Sequence, residues 1–427
     1  MPDDTWHFLW AARKGNLVRV TELLNEGADP NVQDKQGYSP LILASFQGYL
    51  ETVRLLLANG ADPNVQDNYG DTAMMKASSE GYVEIARLLL ANGGDPNLQN
   101  NEGDTALMLG AKYNRVEVIH VLLANQADPN IQCNDEWTAL IWATRIGSPE
   151  ITNVLLANGA DPNLQSSYGN TALMKASSQG HFEIVRRLLH RGADPNIQND
   201  DGETALMSAV ECNSVEVIDL LLTNGADPNI RKPKGLTALI EAVKLNCVEV
   251  IDLLLTKGVD PNVRSKYRDT ALIVAAKHSH VDAVNLLLTN RADVNMRNTF
   301  GWTALFVAAR NGWSGIDLFL TNGADPNVRN RYGSTALIVA SQNGHVDAVN
   351  LLLNNRADPY IKNKQGRTAL SWATQNSHDA VVNTLLHAHT EHFNRYLDIP
   401  RTLVGDYALQ KIMNKKPRES RKRKARS

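Results

Sequence analysis

The amino-acid sequence predicts an all-α solenoid, in which short helix pairs from successive repeats stack on one another. Two markers support this prediction. An Asp, usually followed by Pro-Asn, recurs every 33 residues with one interval of 32, and a Thr-Ala-Leu or Thr-Ala-Met triplet recurs in step with it. Eleven copies in register indicate a tandem array, not the roughly two to four globular domains that this length would otherwise suggest. The motif aspartates are Asp29, Asp62, Asp95, Asp128, Asp161, Asp194, Asp227, Asp260, Asp293, Asp325 and Asp358.

The first helix of each repeat is predicted to begin at the Thr of the triplet. A Thr hydroxyl at this position can accept a hydrogen bond from an otherwise unpaired backbone N–H, as we expect for Thr72. Leu173 and Ala176 then lie three residues apart and form one apolar stripe. A Gly or Asn follows the helix and can take the left-handed conformation that ends it. These terminating residues include Gly48, Gly81, Asn114, Gly180 and Asn213.

The second helix has the pattern Val-Glu-(Ile/Val)-x-x-Leu-Leu-Leu, as in residues 83–90 and 215–222. It is predicted to end at a second Gly, which is followed by the Asp-Pro-Asn turn and a short polar finger of hairpin-like composition. Helices of about eight residues are marginal alone, so stacking of repeats must supply the hydrophobic core. The second Gly occurs as Gly27, Gly60, Gly159, Gly192, Gly225 and Gly323.

Two departures from the repeat predict local weak points. Gln126, Arg291 and Arg356 replace the second Gly, where a non-Gly residue in the left-handed region costs roughly 1 kcal/mol. The residue missing from the 32-residue interval lies between Gly312 and Asp325. We therefore predict a helical irregularity within residues 313–322.

The unit Gly-x-Thr-Ala-Leu, continued by Leu-Leu-x-x-Gly-Ala-Asp-Pro-Asn, resembles the ankyrin repeat. The resemblance implies an array of about twelve helix pairs with hairpin fingers over residues 1–392. Residues 393–413 could form a short closing helix, and the composition of residues 414–427 predicts a disordered basic tail. The family's Thr-Pro-Leu-His becomes Thr-Ala-Leu-Met or Thr-Ala-Leu-Ile, as at Met75 and Ile141. Apolar packing would replace the His that ties the loops in the family, so we expect less firmly tied loops.

The composition limits the class of protein and its compartment. An apolar fraction of 43% excludes wholesale disorder, and no apolar run is long enough to span a membrane. Cys133, Cys212 and Cys247 form no Cys-x-x-Cys pair, which favours a reducing compartment. The N-terminal segment has two early acids and no basic region, so we expect no signal peptide. The prediction is a cytoplasmic or nuclear protein that is not secreted.

No motif predicts catalysis. The sequence has neither a Gly-x-x-x-x-Gly-Lys-(Ser/Thr) phosphate loop nor a His-Glu-x-x-His zinc motif. The cysteines have no identifiable activating base, and an Asp that recurs in every repeat is typical of a structural residue. His387, His389 and His392 could bind a metal, but no second pair of ligands accompanies them. We therefore expect no enzymatic activity, no cofactor and no metal.

The candidate partner-binding residues are aromatic and basic side chains of the fingers and first helices, which the ankyrin resemblance places on a concave binding face. Aromatic residues and Arg carry much of the binding energy at protein interfaces. The alternative is that the rings only pack one finger against the next, which fits Trp142 beside Arg145 least well. The candidates are Tyr69, Lys76, Tyr113, Trp137, Trp142, Arg145, Tyr168, Arg231, Arg264, Tyr267, Arg297, Phe300, Trp302, Arg310, Arg329 and Tyr332.

One finger position, two residues after the motif Asn, changes type along the chain. In the first six fingers it holds Gln33, Gln66, Gln99, Gln132, Gln165 and Gln198. In the later fingers it holds Arg231, Arg264, Arg297, Arg329 and Lys362, with Lys232 and Lys364 nearby. Such a row of cations suits an acidic, phosphorylated or nucleic-acid partner. Alternatively it is a solvated edge spread by duplication, since residues 168–178 nearly repeat residues 69–79.

The charge balance follows this change. Residues 1–230 carry 14 Lys plus Arg and 30 Asp plus Glu, a net charge of −16. Residues 231–427 carry 29 and 16, a net charge of +13, although the whole chain is nearly neutral at −3. The near-neutral total therefore argues against a polyanion partner for the first part of the chain only.

The C-terminal tail predicts either a nuclear-localisation signal or a polyanion-binding arm, with a solubilising tail as the alternative. Its cations are Lys415, Lys416, Arg418, Arg421, Lys422, Arg423, Lys424 and Arg426.

Residues 397–407 faintly resemble the second half of a suppressor-of-cytokine-signalling box, whose first half is absent. The turn residues Asn64, Asn163 and Asn229 resemble sites of asparaginyl hydroxylase.

These observations predict a non-enzymatic scaffold or adaptor, expected to be a monomer, that binds protein partners along its fingers and first helices. Two alternatives remain. One is a substrate-receptor subunit of a ubiquitin ligase, and the other is a nuclear protein that binds nucleic acid or another polyanion through its tail.

Overall fold

The computed structural model describes residues 3–397, with the side chains of residues 5–388. These residues form 24 helices in twelve consecutive pairs, which confirms the predicted all-α repeat solenoid. The chain divides into two compact units between Val259 and Asp260. Within the described residues, extended pairing is limited to one isolated antiparallel bridge between Arg264 and Thr270.

The first unit contains sixteen helices, which alternate between first and second helices of a repeat. Its helices are α1 (Asp3–Arg13), α2 (Leu17–Asn25), α3 (Pro40–Gln47), α4 (Leu50–Ala58), α5 (Ala73–Glu80), α6 (Val83–Ala91), α7 (Ala106–Lys112), α8 (Val116–Ala124), α9 (Ala139–Ile146), α10 (Pro149–Ala157), α11 (Ala172–Ser178), α12 (Phe182–His190), α13 (Ala205–Glu211), α14 (Val215–Thr223), α15 (Ala238–Leu245) and α16 (Val248–Thr256). Within this unit, the first helices of neighbouring repeats pack on one another, so that α5 contacts both α3 and α7.

The second unit contains the remaining eight helices that the structure describes. They are α17 (Ala271–His278), α18 (Val281–Thr289), α19 (Ala304–Asn311), α20 (Ile316–Thr321), α21 (Ala336–Asn343), α22 (Val346–Asn354), α23 (Ala369–Gln375) and α24 (Asp379–Leu397). Helix α24 continues across the predicted boundary at 392/393. The rest of the predicted closing helix and the whole basic tail lie outside the described residues.

The predicted helix starts are confirmed. The Thr72 hydroxyl accepts a hydrogen bond from the Met75 N–H at 3.3 Å, and a Thr or Ser fills the same role at every first helix from α3 to α23. The family-His position is apolar and buried, since Met75 and Ile141 are each 1% exposed. Apolar packing therefore fills that position as predicted.

The predicted departures are confirmed as well. Gln126, Arg291 and Arg356 take the left-handed conformation with φ of 67°, 65° and 67°. The repeat that lacks one residue has a second helix, α20, of only six residues, whereas neighbouring α18 and α22 have nine each. The missing residue therefore shortens the N-terminal part of this helix.

The expectation of loosely tied loops overlooked the motif Asn. The Asn31 side chain donates to the Gly60 carbonyl at 3.1 Å and accepts from the Asp62 N–H at 2.7 Å, so it bridges two repeats. The motif Asp serves its own turn, since the Asp62 carboxylate accepts from the Asn64 N–H at 2.9 Å. Both bonds to the next repeat recur at Asn64, Asn97, Asn130, Asn163, Asn196, Asn295 and Asn327.

Candidate partner-binding surface

Three positions of each repeat lie together in space: the residue before the capping Thr or Ser, and the residues four and seven positions after it. We call these positions, with the adjacent finger residues, the finger face. Contacts connect the positions within a repeat, because Arg145 lies against both Trp137 and Trp142. They also connect neighbouring repeats, because Lys112 lies over the Trp142 ring.

The finger face of the first unit carries a tryptophan–cation cluster made of Lys112, Trp137, Trp142, Arg145 and Lys175. The two indole rings are tilted against each other with centroids 4.6 Å apart. The Arg145 guanidinium lies 5.3 and 5.2 Å from the two ring centroids, and Lys112 lies 4.8 Å from that of Trp142. Lys175 lies 5.8 Å from that of Trp137. Side chains from three successive repeats thus converge on one aromatic pair.

The finger face of the second unit contains an aromatic groove with a volume of about 480 Å³. Trp302, Phe306 and Trp372 line it together with Arg310 and amide-bearing side chains, and its lining includes no carboxylate. The Arg310 guanidinium lies 4.9 Å from the Trp302 ring centroid. This groove therefore combines apolar surface with positive charge. Its remaining lining residues are Asn330, Tyr332, Ser334, Val339, Gln342, Asn363, Lys364 and Gln365.

The tyrosines at the finger tips are open to solvent. Tyr69, Tyr168 and Tyr332 are 63%, 71% and 64% exposed, so most of each side chain faces solvent and not a neighbouring finger. Tyr113, Tyr267 and Phe300 are also exposed. The contacts of Trp137, Trp142 and Trp302 with cations and rings leave these three indoles only partly exposed.

A family model for ankyrin repeats, each match spanning three copies, fits overlapping stretches of the chain that together run from residue 8 to residue 396. The chain belongs to the ankyrin repeat family. The matched stretches are 8–100, 87–166, 107–199, 140–232, 173–265, 239–316 and 313–396. A search of curated proteins gives no match. Ankyrin repeats generally act as protein–protein interaction modules, and proteins built from them are typically non-enzymatic.

Lys76 and Lys232 differ from the other cations of this ankyrin finger face because carboxylates surround them. Lys76 lies 3.2 Å from Asp67 and 2.5 Å from Asp71 and is 16% exposed. Burial lowers the pKa of Lys76, but the two carboxylates outweigh burial and raise it overall. The charge of Lys76, one of the candidates predicted from the sequence, is therefore balanced by Asp67 and Asp71.

Lys232 was grouped with the later cations by sequence, and this assignment is wrong. Its ammonium lies 2.5, 3.4 and 3.6 Å from Glu203, Glu211 and Glu241. Burial opposes its charge, yet these carboxylates raise the pKa of Lys232. The cluster has more negative than positive groups, so Lys232 does not add to a basic surface.

The Gln two residues after the motif Asn, present in the first six ankyrin fingers, has a structural role that the sequence did not predict. The Gln66 side chain donates to the Gly70 carbonyl of its own finger at 2.6 Å and to the Gln99 carbonyl of the next finger at 3.0 Å. Arg329 makes the equivalent bond to the Lys362 carbonyl. Arg329 therefore ties its finger to the next one as Gln66 does, and it adds a charge.

A second groove, of about 270 Å³, lies at the start of the ankyrin array, where sequence reasoning named no site. Trp6, Trp10, Tyr38 and Phe46 contribute most of its aromatic surface. Trp6 and Trp10 stack with centroids 6.3 Å apart. The signal was available in the sequence, because two Trp four residues apart lie on the same face of a helix.

Within the described residues, no group of three His, Cys, Asp or Glu side chains is arranged to hold a metal ion. The side chains of His389 and His392 lie outside those residues. Burial raises the pKa of the Cys133 and Cys247 thiols, which keeps them protonated and weakly nucleophilic at neutral pH.

None of the helices that the structure describes is long and apolar enough to cross a membrane.

Proposed function

We propose that this ankyrin-repeat protein is a non-enzymatic scaffold that holds a protein partner against its finger face. The observation that carries the proposal is the combination of tryptophan and arginine on this face in both units. Trp142 lies against Arg145 in the first unit, and Trp302 lies against Arg310 in the second. Trp, Tyr and Arg are the residue types that most often dominate binding energy at protein interfaces.

In the second unit, the charges of the face favour an acidic or phosphorylated segment of the partner. The groove at Trp302 includes Arg310 and Lys364 and no carboxylate among its lining residues. The fingers of this unit add Arg264, Arg297 and Arg329, of which Arg297 and Arg329 are exposed. Complementary charge accelerates association and selects against basic partners, and its effect weakens as salt rises.

The test is affinity capture followed by mass spectrometry, with the full chain as bait at two salt concentrations. The variant carries Arg231→Gln, Arg264→Gln, Arg297→Gln and Arg329→Gln. Because Gln makes the same inter-finger bond in the earlier repeats, this variant removes charge and keeps the tie. We expect it to lose partner and to show a weaker salt dependence.

A matched control removes four cations away from the finger face. Arg19, Arg54, Arg87 and Arg186 lie on second helices and pair with Glu residues three positions away. Their replacement by Gln should leave capture unchanged. Equal capture by the wild type and the four-Gln variant, with the same salt dependence, would refute the proposal that the finger cations bind an acidic or phosphorylated segment.

A further inference from the structure

An internal comparison singles out Lys175. Residues 168–178 nearly repeat residues 69–79, and Lys175 occupies the position that Lys76 has 99 residues earlier. Lys76 is paired with the carboxylates of Asp67 and Asp71. Both acids are missing from the later copy, where Ser166 and Asn170 stand instead. The chain thus retains the lysine and has neither of its carboxylate partners.

The finger does not need those two charges for its own structure. The Asp67 carboxylate accepts from the Asp71 N–H at 2.9 Å, and the Ser166 hydroxyl accepts from the Asn170 N–H at 3.2 Å. Asn170 accepts from the Asn199 side chain at 3.1 Å, just as Asp71 accepts from Asn100 at 2.7 Å. These two bonds are therefore kept, whereas the bond from the Tyr69 N–H to Asp67 at 2.9 Å has no recorded counterpart at Ser166. The main difference between the two sites is the charge around the lysine.

Positive charge and aromatic surface surround Lys175 in place of the carboxylates. Its ammonium lies 5.8 Å from the Trp137 ring centroid, which Arg145 also approaches at 5.3 Å. Within the described residues, neither Arg145 nor Lys175 forms a salt bridge with a carboxylate, whereas Lys112 has Asp104 at 3.9 Å. Burial and the charge of Arg145 lower the pKa of Lys175 and outweigh the opposite effect of the more distant Glu203, so the net shift is the opposite of that at Lys76. Two like charges thus lie on one aromatic pair, and neither of them is held in a salt bridge within the described residues.

We propose that Arg145 and Lys175, on the floor formed by Trp137 and Trp142, bind the phosphoryl group of a phosphorylated residue in a partner protein. This inference rests on the proposed function and assigns the partner's chemistry at one place on the finger face. Two cations that form no salt bridge within the described residues match the charge of about −2 on a phosphate monoester, whereas a single carboxylate would leave one cation unpaired. Arg is suited to the site because its guanidinium forms paired, charge-assisted hydrogen bonds with phosphate oxygens.

Nucleic acid fits the cluster less well than a phosphorylated protein segment. Arg145 and Lys112 both lie over the Trp142 ring, so that ring offers little free surface on which a base could stack. Residues 1–230 also carry a net charge of −16, which repels an extended polyanion more than a single phosphoryl group.

The test is direct binding of the full chain to degenerate peptide libraries with one fixed phosphoserine, phosphothreonine or phosphotyrosine, and to the matching unphosphorylated libraries. Two variants alter the site in different ways. Arg145→Gln with Lys175→Gln removes its cations, whereas Ser166→Asp with Asn170→Asp supplies the carboxylates that the copy at Lys76 has. In the earlier finger, the carboxylates of Asp67 and Asp71 make the bonds that Ser166 and Asn170 make in the later one. The finger fold therefore accepts carboxylates at both positions.

We expect the wild type to prefer one phosphorylated library, and both variants to weaken that binding by about tenfold or more. The carboxylate variant should also have a higher unfolding midpoint than the wild type, because it pairs Lys175. A control variant with Arg54→Gln and Arg87→Gln should bind as the wild type does.

Several results would overturn the inference. The first is equal binding of the phosphorylated and unphosphorylated libraries, and the second is undiminished binding by the carboxylate variant. The third is a competition experiment in which inorganic phosphate, anionic vesicles or single-stranded DNA binds the chain as tightly as the phosphopeptides do. If capture of a partner depends on the cations from Arg264 to Arg329 but no phosphopeptide binds, only this inference is overturned. Failure of the wild type to capture any partner would instead overturn the proposed scaffold function.

Discussion

At the scale of single residues, the motif Asn is the main tie between repeats. Asn130 donates to the Gly159 carbonyl at 3.0 Å and accepts from the Asp161 N–H at 2.7 Å. We expect Asn130→Ala to lower the free energy of unfolding by about 1–3 kcal/mol, because it leaves two backbone groups without these partners. Chemical denaturation measures the change. The control is Asn125→Ala, which removes only a bond within one helix, to Val121; equal losses in the two variants would contradict the prediction.

Backbone conformation gives a second prediction at this scale. Gln126 is left-handed with φ of 67°, in a position that Gly fills in most repeats. We expect Gln126→Gly to raise the free energy of unfolding by up to about 1 kcal/mol, since Gly adopts this conformation without strain. Thermal or chemical denaturation would show the gain.

The matched control for this change is Gly60→Ala. An added methyl group at Gly60 would meet no atom within 4 Å, so any cost comes from its φ of 85° alone. This variant should be destabilised. A Gln126→Gly variant less stable than the wild type would show that side-chain contacts outweigh backbone strain.

At the scale of helices, local signals determined most boundaries. Thr72 caps α5 and Gly81 ends it because both effects depend on neighbouring backbone groups only. The C-terminal end of α24 did not follow from the sequence in the same way. The expected array boundary at residue 392 is followed directly by Phe393, and the helix continues through Asn394 to Leu397.

The shortened helix α20 gives a prediction about dynamics. It has six residues, whereas α14, α18 and α22 have nine each, and residues 314–315 before it lie in a turn. We expect its amides to exchange hydrogen faster than those of α14, α18 and α22, because fewer backbone hydrogen bonds protect them. Hydrogen-exchange mass spectrometry measures this difference. Protection equal to that of α14 would show that packing compensates for the missing residue.

At the scale of the whole molecule, the tail beyond the described residues carries a prediction of its own. Residues 414–427 contain eight cations and one acid. We expect a fluorescent protein fused to this segment to enter the nucleus, because clustered Lys and Arg form import signals. The control replaces the Lys and Arg of 421–424 by Gln, and a wild-type fusion that stays outside the nucleus would refute the prediction.

The ubiquitin-ligase alternative is also a property of the whole chain. It rests on residues 397–407, nearly all of which lie outside the described residues. If it is correct, a cullin should co-purify with the full chain and be lost from a chain that ends at residue 393. Equal recovery, or no cullin with either chain, would remove this alternative.

The sequence by itself determined the repeat architecture, the helix caps at residues such as Thr72, and the irregular second helix at 313–322. These features follow from local interactions and from a period that repeats eleven times. Only the tertiary structure decided which cations are compensated. Lys76, Lys175 and Lys232 are all lysines of the finger face. Lys76 is paired with carboxylates of its own finger and Lys232 with carboxylates of two repeats, whereas Lys175 lies beside Trp137 and Arg145 of another repeat. Charge pairing depends on distances of a few ångströms between residues far apart in the chain, and the sequence does not contain those distances directly.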